Sequence, residues 1–339
     1  MVTITDISNA CGVSRATVSK ALNGAADVSP ETAKKIRETA AALGYLPNAT
    51  ARALKMGRSY NIGVLFSDTT GGGISHEFFS LILESVKAEA ERLGYDITFI
   101  SKDLGRQSMG YYEHAKYRSC DGVVIASADF QDPAIVRLVS SEIPTVTIDY
   151  GFEGCSSVMS DNVRGMEQLV RFVHERGHRK IAFIHGEMTS VTQKRLVSFR
   201  KTCAELGLGI PAEFIRPATY HDPRSSGLAT RALLDLPDRP TCILFPDDLS
   251  YLGGMSELEK HGLSVGKDIS VAGYDGIPLS QVLRPRLSTY KQGAEKMGEE
   301  AARILIEQIE SPDTWIPQQI TVEGTLLKGD TVADINGNG

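Results

Sequence analysis

The chain is 339 residues long, 42% hydrophobic and 23% charged, with a formal net charge of −6. That length accommodates two or three domains with cores of their own, and no apolar run approaches the ~18 residues of a membrane span. The opening MVTITDISNACGVS lacks the basic segment and apolar core of a secretion signal, so a cytoplasmic protein without a membrane partner is expected.

The charge is unevenly spread. Residues 1–60 hold eight Lys/Arg and four Asp/Glu, whereas the remainder holds 28 and 38. A basic head on an acidic body lets phosphates attract one end only, so the global sign does not exclude a nucleic-acid partner.

In chain order, Thr5 or Asp6 can cap a first short helix with Ile7 and Ala10 as its apolar residues, and Gly12 breaks it. Ser14 can cap a second helix with Val18 and Leu22 on one side. Its other side shows Arg15, Ala16, Thr17, Ser19, Lys20 and Asn23, a row of small, polar and basic residues that suits reading of a DNA major groove. A plain solvated face is the alternative. A third helix starts clearly, with Ser29 as cap, Pro30 at the first position and Glu31 in the first turn. Ala33, Ile36, Ala40 and Leu43 recur at helical spacing, and Gly44 stops it.

After Tyr45-Leu46-Pro47, Asn48 can cap a further helix, ATARALK, ended by Gly57. At about two turns it is below the ~12–15 residues needed for stability in water, so it requires a packing partner. Arg52 and Lys55 flank Leu54, an apolar wedge between cations of the kind that opens a minor groove. From Asn61 onward, short β-branched runs alternate with amphipathic stretches. The strand-like runs are 62–66, 97–100, 122–126, 145–148, 181–184, 242–245 and 269–272. That alternation predicts an α/β body of two doubly wound subdomains with parallel sheets, and a cleft where the strand carboxyl ends face each other.

Other motifs weigh less. His174-Glu175-Arg176-Gly177-His178 satisfies the zinc-protease pattern, but Gly177 reads as a helix stop that separates the histidines. Gly71–Gly73 has no following Gly-Lys-Ser/Thr and reads as a cleft loop rather than a phosphate cradle. Asp247 and Asp248 suit sugar hydrogen bonding or a helix cap better than a metal or catalytic pair. The five cysteines are odd in number and never spaced CxxC, which favours reduced thiols. No metal, cofactor or catalytic residue is expected.

The stretches TITDISNACGVSRATVSKALNG and VSPETAKKIRETAAALGYLPNATARALK resemble the headpiece and hinge helix of the lac repressor (LacI/GalR) family. The likeness continues through ERGHRKIAFI, RLVSFRKTCAELGL, VGKDISVAGYDG and PRLSTYKQ. The resemblance implies a helix-turn-helix headpiece (1–46), a hinge helix and linker (47–60), and a body like periplasmic binding proteins. It divides the body into subdomains 61–161 with 292–321 and 162–291 with 322–339. It implies base reading by Arg15, Ala16 and Lys20, anchoring by Ser14, Thr17, Ser19 and Asn23, and minor-groove insertion of Leu54. For the effector it points to Phe79, Asp149, Arg195, Tyr220, Asp247 and Asp275. Ser75-His76-Glu77 departs from the family pattern, which usually has Asn-Pro before the two phenylalanines.

The resulting expectation is a homodimeric transcription regulator, a repressor, binding a pseudo-palindromic operator under control of a sugar or sugar derivative. A solute-binding protein without a DNA role is the rival, and it would not need a basic head. An enzyme is a third reading, without an activated nucleophile to support it.

Overall fold

The computed structural model describes residues 2–25, 27–46, 57–67, 73–104 and 108–336. Arg52, Leu54 and Lys55, and with them the expected hinge helix, lie outside the described residues, as do Gly71 and Gly72. The chain forms two compact units, Met1–Ser59 and Tyr60–Gly339.

The first unit holds α1 (Ile4–Cys11), α2 (Arg15–Leu22) and α3 (Pro30–Ala42). Thr3, not Thr5 or Asp6, caps α1. Its side chain accepts from the Asp6 N–H while the Asp6 carboxylate accepts from the Thr3 N–H at 2.8 Å, a reciprocal box. Ile7, Cys11, Val18, Ala21, Ala33, Ile36 and Ala40 make the core. Cys11 rather than Ala10 completes the buried face of α1, and Leu43 points outward. So few apolar side chains hold three helices only because each is buried completely or nearly so.

The second unit contains two sheets of six strands. In the first, β1 (Asn61–Phe66), β2 (Asp96–Ile100), β3 (Gly122–Ser127), β4 (Thr145–Ile148), β5 (Ser156–Ser160) and β11 (Gln319–Val322) run parallel, in the order β11-β5-β4-β3-β1-β2. Val124 and Ala126 of β3 face α4 (Glu77–Arg92) and α12 (Ala294–Glu310), while Val123 and Ile125 face α5 (Tyr111–Tyr117) and α6 (Pro133–Val139). The period of two thus builds a core on each side.

The second sheet comprises β6 (Ile181–His185), β7 (Ile215–Pro217), β8 (Cys242–Leu244), β9 (Ser270–Asp275), β10 (Ser288–Lys291) and β12 (Thr325–Leu327), in the order β12-β10-β9-β8-β6-β7. Only β12 is antiparallel. One face packs on α7 (Asn162–Glu175) and α8 (Ser190–Glu205), the other on α9 (Pro223–Leu234) and α10 (Asp248–Lys260). A short α11 (Pro278–Val282) follows β9. No helix among the described residues is long and apolar enough to cross a membrane.

The chain passes between the two lobes after β5, after β10 and after β11, and these passages lie side by side. The Asp161 N–H donates to the Val322 carbonyl at 3.0 Å, and the Gly324 N–H donates to the Tyr290 hydroxyl at 2.9 Å. The expected helix stop near Gly177 is present: α7 ends at Glu175, Gly177 has φ +93°, and His178 lies beyond the helix. His178 is buried against Thr241 and the Ala333 carbonyl, a structural role.

Helices α9 and α10 approach closely through glycine. A Cβ on Gly253 would stand 1.6 Å from the Pro223 carbonyl oxygen. Alanine is better than glycine in a helix by about 1 kcal/mol, but the clash falls on backbone that cannot rotate away. Gly253→Ala is expected to destabilise the body by about 2–3 kcal/mol, read as a lower urea midpoint. A neutral or stabilising result would contradict this packing.

Candidate functional site

Two surfaces deserve separate description. On the first unit, the Ser14 hydroxyl accepts from the Thr17 N–H at 3.0 Å and caps α2. Val18 and Ala21 turn inward, with Ala21 deeper than the expected Leu22. Ser14, Arg15, Ala16, Lys20 and Asn23 are exposed, and Thr17 and Ser19 are half-buried. The Lys20 ammonium pairs with the Asp27 carboxylate from the loop before α3, and the Asn23 amide donates to the Ser19 carbonyl at 2.7 Å. The face therefore combines a guanidinium, an ammonium, a methyl group and hydroxyls at a helix N-terminus, as base edges and phosphates require.

In the second unit, the carboxyl ends of strands from both sheets open on a cavity of about 810 Å³. Such sheet ends are where doubly wound folds bind ligands. Phe79 from the start of α4 and Asp149 after β4 come from one lobe. Arg195 of α8, Tyr220 after β7 and Asp275 at the end of β9 come from the other. Five of the six effector positions implied by the resemblance thus share one cavity.

Arg195 is held rigidly. Its Nε donates to Asn162 Oδ1 at 2.7 Å, its Nη1 to the Pro246 carbonyl at 2.9 Å, and its guanidinium carbon lies 3.5 Å from the Tyr274 ring centroid. A planar fork fixed on one side presents its remaining donors without losing much entropy on binding. Asp149 Oδ1 accepts from the Ser160 N–H at 2.7 Å, and the Asp149 carbonyl accepts from the Ser190 hydroxyl of the opposite lobe at 3.1 Å. Burial raises the Asp149 carboxyl above its ordinary range, against the opposing pull of the Ser160 N–H and Arg195. Burial likewise raises Asp275, although Arg195 opposes it. Both acids therefore gain from any ligand that donates hydrogen bonds to them.

Backbone strain marks the same place. Asp149 (φ 57°), His221 (φ 58°) and Asp275 (φ 99°) all occupy the left-handed region, at a cost of order 1–3 kcal/mol each. Tyr220 lies flat on Gly186, where a Cβ would stand 2.1 Å from the ring, and its hydroxyl meets Thr192 at 2.8 Å.

Sequence reasoning missed several wall residues. Phe130 and Tyr150 stack at 4.5 Å with planes 8° apart, and Gln131 donates to the Tyr150 hydroxyl at 2.9 Å. Both aromatics follow strands β3 and β4, so position after a strand could have flagged them. Gln292 donates to Asp275 Oδ1 at 2.6 Å and leaves its own Oε1 without a partner among the described residues.

Asp247 stands apart from the other five. Its carboxylate does not line the cavity but lies behind His221, accepting from the His221 N–H at 3.0 Å and from the Ser250 N–H at 2.7 Å as the cap of α10. The same spacing in sequence serves a helix start as well as a ligand contact, and local hydrogen bonding decided between them. Burial alone would raise this carboxyl. The hydrogen bond and charge of His221, with the two backbone N–H groups, instead hold it below the usual range.

A model of bacterial regulatory proteins of the lacI family matches residues 3–48, and a periplasmic binding protein-like domain matches residues 170–332. The chain is 32% identical over 318 residues to the probable HTH-type transcriptional repressor ExuR of Bacillus subtilis (strain 168), covering 93% of each chain. It is 28% identical over 340 residues to the HTH-type transcriptional repressor PurR of Vibrio cholerae serotype O1 (strain M66-2), covering 99% of each. Among solved structures, the lac repressor dimer bound to operator and the anti-inducer ONPF superposes with a TM-score of 0.82 at 27% identity, covering 98% of this chain and 99% of that one. The complex of the regulator CelR with cellobiose gives 0.71 at 26%, covering 98% and 100%.

Asp247→Ala is expected to destabilise the body by about 1–2 kcal/mol at pH 7, the usual worth of a lost helix cap. Because the folded carboxyl is held down to about 2, that loss should shrink as pH falls from about 4, where the unfolded carboxyl protonates, toward about 2, where the folded one does. Urea unfolding at pH 7 and pH 3 tests both statements, and an equal loss at the two values would refute the charge-dependent part.

Proposed function

The chain belongs to the lacI family of bacterial regulatory proteins, and on that premise we propose that it is a cytoplasmic, homodimeric repressor of transcription controlled by a sugar or sugar derivative. Two first units, one per protomer, would read the two halves of a pseudo-palindromic operator, with Arg15, Ala16 and Lys20 at base edges. Ser14, Thr17, Ser19 and Asn23 would hold the phosphates and the duplex edge. Arg52, Leu54 and Lys55 would act from the minor groove.

The observation that carries the effector half of this reading is the cavity wall. It gathers a buried guanidinium fork, the buried Asp275 carboxylate, the half-buried Asp149 and a stacked aromatic pair. Vicinal hydroxyls accept and donate to such charged groups in pairs, and an aromatic face covers the apolar side of a sugar ring. A pure solute carrier would account for the cavity but not for residues 3–48, which match the regulator family. The family acts by repression rather than by catalysis. The ligand changes operator affinity only through its differential affinity for two arrangements of the lobes.

Two measurements test the two halves. Arg15→Ala should lose about 1–3 kcal/mol of discrimination at one symmetric base pair per half-site, read by selection from randomised operators. An unchanged selection profile refutes direct readout by Arg15. A thermal-shift screen of sugars and sugar phosphates should find a ligand that stabilises the full chain by about 2.7 kcal/mol at a hundred times its Kd. Arg195→Lys keeps the charge but not the fork, and should lose that stabilisation while operator binding persists. Undiminished stabilisation would remove Arg195 from the site.

A further inference from the structure

His76 and His221 meet across the boundary between the lobes, their ring centroids 3.6 Å apart and their planes at 65°. His76 precedes α4 in the first lobe and is buried; His221 follows β7 in the second. Asp275, buried at the end of β9, stands beside them. One nitrogen from each imidazole and one carboxylate oxygen all lie within 4.8 Å of one another. The binding of sugar hydroxyls calls for none of this convergence. The neighbourhood is rich in acids (Asp247, Asp248 and Asp275 buried, Asp149 half-buried), and its buried guanidinium, Arg195, is already fixed on Asn162 and Pro246.

We propose that His76, His221 and Asp275 form a binding site for a divalent transition-metal ion of the zinc class, and that the ion ties the two lobes together. Two imidazoles and a carboxylate are the donor set for such ions, and three protein ligands leave a coordination position open. Bonds of about 2.0–2.2 Å in a tetrahedron place ligand atoms about 3.4 Å apart, so the donor atoms must close by up to about 1.4 Å while the two rings, now 3.6 Å apart at their centroids, turn away from each other to about 5 Å. Side-chain rotation supplies that much.

The surroundings orient these groups as outer partners of a metal site do. His221 Nδ1 lies 3.4 Å from Asp247 Oδ1, which favours the proton on Nδ1 and presents Nε2 to the ion. The same carboxylate fixes the His221 backbone N–H, so ring and main chain are held by one buried group. Gln292 donates to Asp275 Oδ1 at 2.6 Å and leaves the other oxygen for coordination. His76 accepts from the Phe79 N–H through Nδ1, at a long 3.3 Å. Coordination through Nε2 moves the ring proton to Nδ1 and gives up that cap, while coordination through Nδ1 replaces it. Either way one weak hydrogen bond is exchanged for a coordinate bond. Because His221 and Asp275 also line the cavity, the open position faces the ligand space, where water or a hydroxyl can complete the shell.

The test uses the full chain, stripped with chelator and titrated with Zn²⁺ alone, without sugar or DNA, by calorimetry at neutral pH. One ion per chain is expected. His76→Asn keeps a good helix cap but removes the imidazole, and His221→Gln removes the other. Each should weaken Zn²⁺ binding by about a hundredfold or more. Asp247→Asn should weaken it by about tenfold, as loss of an outer partner does. Co²⁺ in the wild type should give the visible absorption of a four- or five-coordinate site, which decides the matter should a variant fail to fold. Absence of stoichiometric Zn²⁺ uptake, uptake unchanged in both histidine variants, or a Co²⁺ spectrum of the hydrated ion would each overturn the proposal. Since neither sugar nor operator is present, that failure would leave the repressor reading untouched.

Discussion

The two lobes are joined covalently by three segments of chain that lie side by side. The Asp161–Val322 and Gly324–Tyr290 hydrogen bonds join them, and glycine makes the close fit possible. A Cβ on Gly324 would stand 2.3 Å from the Lys291 carbonyl, and one on Gly293 would stand 2.6 Å from Val322. Such a triple passage lets the lobes rotate about one line but not drift apart. Closure is then nearly a single coordinate, and a ligand in the cavity acts by favouring one value of it.

That constraint explains how the site is divided. Phe79, Asp149 and the Phe130–Tyr150 stack belong to one lobe, and Arg195, Tyr220, His221 and Asp275 to the other. Contacts made by a ligand to both sets depend on closure, whereas contacts to one set do not. The Ser190–Asp149 hydrogen bond and the His76–His221 contact already cross the gap. They contribute to whichever arrangement the unliganded chain prefers.

Central strands were legible in the sequence because both faces are buried, so β1, β3, β6 and β8 contain nearly continuous apolar runs. β5 (SSVMS) and β10 (STYK) were not, since serine and threonine interrupt any apolar run there. Three-residue strands such as β7 and β12 carry no period at all. At the cavity, Asp149 and Asp275 could be picked out by position after a strand. Asp247 could not be told from a helix cap, because both uses need a carboxylate before a helix. The meeting of His76 with His221 was invisible, as it depends on the docking of two lobes rather than on local pattern. Only the departure at Ser75-His76-Glu77 hinted that this corner differs.

The Lys20–Asp27 pair ties the last turn of α2 to the loop before α3. An exposed pair of this kind contributes little, so a stronger acceptor can displace the carboxylate at small cost. Until then Lys20 is directed toward an acceptor built into its own chain, and stray anions must compete with one already in place. Asp27 thereby holds the ammonium of α2 against its own chain, so the position of that cation depends on where the following residues run.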